Sequence, residues 1–289
     1  MEINSLNVTQ LRNGLLKGDF SPKEILDSTI NKIHEIDNKI NAFPIQCFDK
    51  AYKQIEELPS IKNIDFVSHP LYGIPVGVKD LNDIKGVLTT QGSELFRDYR
   101  PKSDDNIVAC MRKNGAVFPG KTNVPEHGFG ATTTNILFGS TNNPYDLSKS
   151  CGASSGGTAA AIAAEMVPLA MGSDFAGSLR TPASFCNIVG MRPSVGFVPT
   201  SRRGMGWSPF DVEGPMAKNV KDCALLHEII SSYDLKDSTS VDFKRNNYSE
   251  LLTNNIRGKK IGIPKEYRVD DMPKEIDKLW ENGKKILKE

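Results

Sequence analysis

The chain has 289 residues, with 36 basic and 35 acidic side chains and a formal net charge of +1. This near-neutral balance gives no electrostatic argument for nucleic acid, a membrane surface or a strongly acidic partner. Apolar residues make up 38% and charged residues 25%, the balance of an ordinary globular protein long enough to bury a sizeable core. The five cysteines, Cys47, Cys110, Cys151, Cys186 and Cys223, are widely spread and form no CxxC pair. This argues against a disulfide framework and a structural zinc site, and for reduced thiols in a cytoplasmic protein. Residues 1–16 lack the basic and apolar regions of a signal peptide. No stretch approaches the ~20 apolar residues of a membrane span.

The first third reads as helical. Asn7 with Gln10, and Ser21-Pro22 with Glu24, are helix starts with the acceptor and the reciprocal side chain of a capping box. Gly18 ends the first helix. In the second, Leu26, Ile30, Ile33 and Ile36 follow at helical spacing. A further amphipathic stretch covers residues 48–58, and residues 61–69 read as a loop. The β-branched run at residues 74–80 predicts a strand ending at Lys79 or Asp80. A helix is expected over residues 103–113 and a strand over 116–118. The Thr/Asn/Ser/Gly-rich residues 132–157 read as loop. Then come a helix over 158–166, a strand over 167–173, a helix over 219–230, a strand over 260–263 and a helix from 272 onward. Alternating strands and helices predict an α/β layered fold.

The chemically informative stretch is residues 152–182. Gly152-Ala153-Ser154-Ser155-Gly156-Gly157 is a small-residue loop running into an Ala-rich helix. Gly172 to Arg180 reads as a strand followed by a small-residue turn that carries Ser178. Such a turn can aim successive backbone N–H groups at one anion beside a serine hydroxyl, which is what acyl transfer needs. The spacing fits neither a Walker loop nor a dinucleotide fingerprint. No motif for a metal or an organic cofactor appears, and none is expected.

Asp174, Ala176, Ser178, Leu179, Arg180 and Pro182, with Ser154 placed 24 residues before Ser178, form a gap-free pattern that resembles the amidase signature family. Gly73 to Asp80, Gly120 to Glu126, Phe138-Gly139, Asn143 to Asp146 and Gly214-Pro215-Met216 also resemble segments of that family. The resemblance implies a layered α/β/α fold with a central mixed sheet. It implies one domain over residues 1–289, with a helical segment at 1–60 and a signature core at 70–235. Family members normally continue further, so this domain is expected to be incomplete.

The resemblance also implies roles. Ser178 is the expected nucleophile, Lys79 the base and Ser154, after a cis peptide bond, the relay between them. The backbone N–H groups of Phe175, Ala176, Gly177 and Ser178 are the expected oxyanion hole. Gly128, Phe129 and Ser155 are expected substrate contacts, with His127 beside them in the channel. Asp174 and Arg180 are expected to brace the turn. From the residues alone, a lysine paired with Asp80 at a strand end, and Ser154 or Ser155 as a helix N-cap, remain alternatives.

The implied activity is hydrolysis of a carboxamide to a carboxylate and ammonia or an amine, with a small-molecule amide as substrate, no membrane and a homodimer as one possible assembly. The segments ATTTN (131–135) and WSPFD (207–211) favour such a general amidase. The alternatives are the A subunit of a tRNA-dependent amidotransferase, which brings partner subunits and an aminoacyl-tRNA, and a truncated, catalytically silent chain.

Overall fold

The computed structural model describes residues 2–200, 206–243, 248–252, 256–263 and 272–288. The chain divides into two compact units, Met1–Leu252 and Thr253–Glu289. In the first unit the elements are α1 (Val8–Lys17), α2 (Pro22–Ile40), β1 (Ile45–Gln46), α3 (Phe48–Glu56), β2 (Val76–Lys79), α4 (Asn106–Lys113), β3 (Gly120–Thr122), β4 (Thr134–Asn135), β5 (Gly139–Ser140), β6 (Asn142–Asn143), β7 (Asp146–Ser150), α5 (Gly156–Ala163), β8 (Leu169–Asp174), α6 (Arg180–Phe185), β9 (Val189–Gly190), β10 (Val212–Ala217), α7 (Val220–Ile230) and α8 (Tyr248–Leu251). The second unit holds α9 (Lys274–Lys288). Among the described residues no helix is long and apolar enough to cross a membrane.

Both expected capping boxes form. Asn7 and Gln10 exchange side-chain and backbone bonds at the start of α1, and Ser21 and Glu24 do so at the start of α2. Gly18 takes the left-handed conformation that ends α1.

The six-stranded sheet runs β1-β3-β2-β8-β10-β9. β2 is parallel to both β3 and β8, whereas β10 is antiparallel to β8 and to β9, and β1 is antiparallel to β3. The sheet is therefore mixed. Its alternation sorts side chains into two cores. Val76 and Val78 of β2 with Leu169 and Met171 of β8 belong to the core that includes Leu11, Ile107 and Leu226 from α1, α4 and α7. Ala170 and Met216 belong to the core that includes Ile33, Ala160 and Ala183 from α2, α5 and α6. Helices on both faces of a mixed sheet give the layered α/β/α arrangement.

The same alternation separates two neighbouring charges at the end of β2. Val78 and Lys121 are register partners, as are Lys79 and Thr122. Thr122 bonds Thr158 of α5 at 2.7 Å, so Lys79 emerges on the α5 face. Asp80 turns away from it and accepts from Lys121 Nζ at 2.8 Å, and both side chains are buried. The alternative pairing of Lys79 with Asp80 is thus overturned. Lys121 also donates to Thr89 Oγ1 at 2.9 Å, and Asp80 accepts from Thr90 Oγ1 at 2.6 Å.

Two strand expectations need correction, at residues 116–118 and 260–263, and β3 and β10 are strands that the sequence reading does not contain. Residues 116–118 make only an isolated bridge, Val117 with Pro75. The ladder lies at Gly120–Thr122, whose buried lysine and threonine hide it from a hydrophobicity reading because their polar groups are bonded to Asp80, Thr89 and Thr158. β10 carries no strand signal in its sequence, since Gly214 and Pro215 lie inside it and both residue types weaken a central strand. Residues 260–263 form no strand, and Ile261 and Ile263 are exposed. A short run becomes a strand only where another takes its backbone groups, and among the described strands none does.

The Lys121–Asp80 pair generates a prediction. Lys121→Ala leaves a buried carboxylate without its cation and should destabilise by about 3–5 kcal/mol in urea unfolding, because removing one partner of a buried pair strands the other. The double variant Lys121→Met/Asp80→Asn should recover most of that loss.

Candidate active site

Three chain segments converge at the C-terminal ends of β2 and β8. β2 delivers Lys79, β8 delivers Ser173 and Asp174 and leads into the turn 175–179, and the loop before α5 delivers Ser154 and Ser155. The Ala153–Ser154 peptide bond is cis, as expected. Gly172 in β8 makes the convergence sterically possible: a Cβ there would lie 2.6 Å from Ser155 Oγ.

Lys79 is fully buried, and its Nζ lies 2.8 Å from Ser154 Oγ and 2.9 Å from Ser173 Oγ. Burial lowers its pKa from 10.5 to about 7, against the opposing pull of Asp211, Asp174 and Glu213. An amine near 7 holds both protonation states at neutral pH and can take up or release a proton there. Ser173 lies in β8, one residue before the signature turn begins at Asp174, and nothing in its local sequence indicates that it faces Lys79.

The turn is organised around the buried Asp174 carboxylate. It accepts from the N–H groups of Gly177 at 2.8 Å and Leu179 at 3.2 Å, and from Arg180 Nε and Nη2, both at 3.0 Å. Arg192 adds a bond to Asp174 Oδ1 at 3.0 Å and one to the Asp174 carbonyl. Burial alone would raise this carboxyl; Arg180 and the two N–H groups outweigh that effect and hold it at about 2. Asp174 and Arg180 thus form a brace, and Arg192, which sequence reasoning missed, is the third member. Gly177 sits at φ +114°, a conformation that side chains rarely adopt.

A cavity of about 750 Å³ opens on this assembly, a size suited to a small molecule. Its wall includes Ser154, Ser173, Ser178, Phe175 and Ala176, together with Gly128, Phe129 and His127. Ser154 and Ser178 therefore face one space, although no hydrogen bond joins their hydroxyls in this structure. The four expected oxyanion donors are not equivalent. The Gly177 N–H is committed to Asp174, while among the described residues no protein acceptor takes the N–H groups of Phe175, Ala176 or Ser178.

Ser155 requires a correction. It is fully buried and lies outside the cavity wall. Its hydroxyl donates to the Ser173 carbonyl at 3.2 Å and accepts from the Ser173 N–H at 3.3 Å, and its own N–H donates to the Ser178 carbonyl at 3.3 Å. It makes no N-cap bond to α5. Ser155 pins the two serine-bearing segments together from behind instead of touching a substrate.

Gly128, at φ +77°, passes over Ser154, with the position of its absent Cβ 3.5 Å from Ser154 Oγ. His127 adopts φ +49° and Gln91 φ +53°. They are held to each other by His127 N–H to the Gln91 carbonyl at 2.7 Å and by a 3.2 Å contact between His127 Nδ1 and Gln91 Oε1. Paired unusual backbone conformations at a cavity wall mark a rigidly built surface. No motif or periodicity in the sequence points to Gln91. Among the described residues no group of three or more His, Cys, Asp or Glu side chains is placed to hold a metal.

Comparison with known proteins identifies the family of the chain. The profile of the family described as Amidase matches residues 24–289. The chain is 42% identical to the A subunit of glutamyl-tRNA(Gln) amidotransferase from Pelagibacter ubique over 290 aligned positions, covering 100% of this chain and 59% of that protein. It thus spans about three fifths of the length of the curated relatives it matches. Among solved structures, a bacterial aryl acylamidase of the amidase signature enzymes superposes with a TM-score of 0.88 at 32% identity, over 95% of this chain and 57% of that one. The A subunit of glutamyl-tRNA(Gln) amidotransferase from Thermotoga maritima superposes with a TM-score of 0.70 at 34% identity, over 84% and 50%. By sequence and by fold, the chain belongs to the amidase family.

Proposed function

We propose that this site cleaves an amide C–N bond through a seryl acyl-enzyme. The observation that carries the reading is the buried Lys79, within hydrogen-bond distance of Ser154, in a site whose cavity also exposes Ser178. Ser178 Oγ attacks the amide carbonyl carbon, and its proton passes through Ser154 to Lys79 Nζ. The oxyanion is held by the N–H groups of Phe175, Ala176 and Ser178. The C–N bond then breaks as the proton returns through Ser154 to the leaving nitrogen. Water repeats the sequence on the ester and releases the carboxylate. Ser173 holds Lys79 in place, and the Asp174 brace holds the turn.

Two fates of the released nitrogen are compatible with this chemistry. The relatives that are A subunits of glutamyl-tRNA(Gln) amidotransferases support a reading in which the released ammonia passes to an aminoacyl-tRNA together with partner subunits. The segments at residues 131–135 and 207–211, and the close superposition on the aryl acylamidase, favour a stand-alone amidase acting on a linear carboxamide. Stable co-purification with partner subunits would select the first reading, and turnover of simple carboxamides by the isolated chain the second.

Ser178→Ala should lower amide turnover by about 10⁴-fold or more and abolish transfer of the acyl group to hydroxylamine, as loss of a nucleophile does. Normal turnover in that variant would sink the assignment. With wild-type protein, kcat/KM should rise with pH through an apparent pKa near 7 as Lys79 becomes neutral.

The lowered lysine pKa also bears on stability. A base whose pKa is lower in the folded than in the unfolded chain costs stability fully below the folded value, and the cost lifts as pH rises towards the unfolded value. Lys79→Met should therefore be inactive yet more stable than wild type by about 1–3 kcal/mol at pH 6, which is the usual consequence of removing an ill-solvated charge. That advantage should shrink between pH 7 and 10.5, measured by thermal unfolding across pH.

A further inference from the structure

Large apolar side chains left open to water generally mark a binding surface when they gather in one place. Here three phenylalanines from separate segments gather on the wall of the serine-bearing cavity. Phe129 follows the turn 126–128, Phe175 follows β8, and Phe185 is the last residue of α6. They are 77%, 45% and 52% exposed. The ring of Phe210 lies against Phe175, with centroids 5.5 Å apart and planes tilted by 46°. The neighbouring wall positions Ala131, Ala153 and Ala176 are small and leave space between the rings and Ser178.

From this arrangement we infer that the amide handled by the site carries an aromatic ring, which packs against Phe129, Phe175 and Phe185 while its carboxamide lies at Ser178. Aromatic rings attract one another in tilted and edge-to-face pairs with centroids about 4.5–7 Å apart, the geometry already seen between Phe175 and Phe210. The inference rests on the proposed role of Ser178 for the orientation of the amide but not for binding of the ring. Because the rings share one cavity with Ser154 and Ser178, the occupant they favour is the substrate itself and not a remote ligand.

The test uses the full chain and three probes: benzamide, acetamide and glutamine. With Ser178→Ala, which holds an amide without cleaving it, saturation-transfer NMR should show benzamide bound at least tenfold more tightly than acetamide or glutamine. With an intact Ser178, the ratio of kcat/KM for benzamide to that for acetamide should fall about tenfold in Phe129→Ala and in Phe185→Ala; both side chains are largely outside the core, so their loss leaves the fold in place. Equal binding of the three probes, tighter binding of glutamine, or an unchanged ratio in both variants would overturn the inference. Selective binding of benzamide together with normal cleavage by Ser178→Ala would instead leave the inference standing and remove Ser178 as nucleophile.

Discussion

The site depends on an ammonium group that the fold has taken out of water. Lys79 is fully buried at the end of a central strand, and the groups within hydrogen-bond reach of its Nζ belong to Ser154 and Ser173, not to a carboxylate. A lysine paired with an acid keeps its proton; a lysine given hydroxyls and little solvent does not hold it tightly. Strand alternation achieves this separation. It sends Asp80 to the opposite face, where Lys121 neutralises it, and leaves Lys79 beside α5. The two buried lysines on neighbouring strands thus have opposite chemistries, one neutralised in an ion pair and the other held at a pKa where its proton can move.

A second constraint fixes the geometry of the turn. Asp174 draws in two backbone N–H groups and two guanidiniums, and each bond removes a freedom the turn would otherwise have. Gly177 gives its N–H to this carboxylate, whereas among the described residues no protein acceptor takes the N–H groups of Phe175, Ala176 or Ser178. Ser155 ties the same turn to the strand from behind, through Ser173 and the Ser178 carbonyl. Ser154, Ser173 and Ser178 all line the cavity, and the side chains that tie their segments together, Asp174, Arg180, Arg192 and Ser155, lie outside its wall.

Local rules make much of the fold legible. The capping boxes at Asn7 and Ser21 and the strand that ends at Lys79 follow from a few adjacent residues, and all of them form. The serine-bearing segments are legible because one gap-free pattern joins them. What stays hidden depends on distant partners. Lys121 pairs with a residue 41 positions away, and Arg192 reaches Asp174 across 18. β10 is hidden by Gly214 and Pro215, which act as breakers in isolation but lie in a strand paired on both sides. Ser155 misleads because a serine before a helix is usually a cap, and here its hydroxyl is turned towards β8.

The central claim is the protonation state of one side chain, and direct titration tests it. NMR of lysine labelled with ¹³C at Cε, assigned by comparison with Lys79→Met, reports the midpoint of Lys79 without reference to any substrate. The buried site predicts a midpoint near 7. A midpoint at the ordinary lysine value of 10.5 would contradict the account, since a lysine that keeps its proton at neutral pH cannot take one from Ser154.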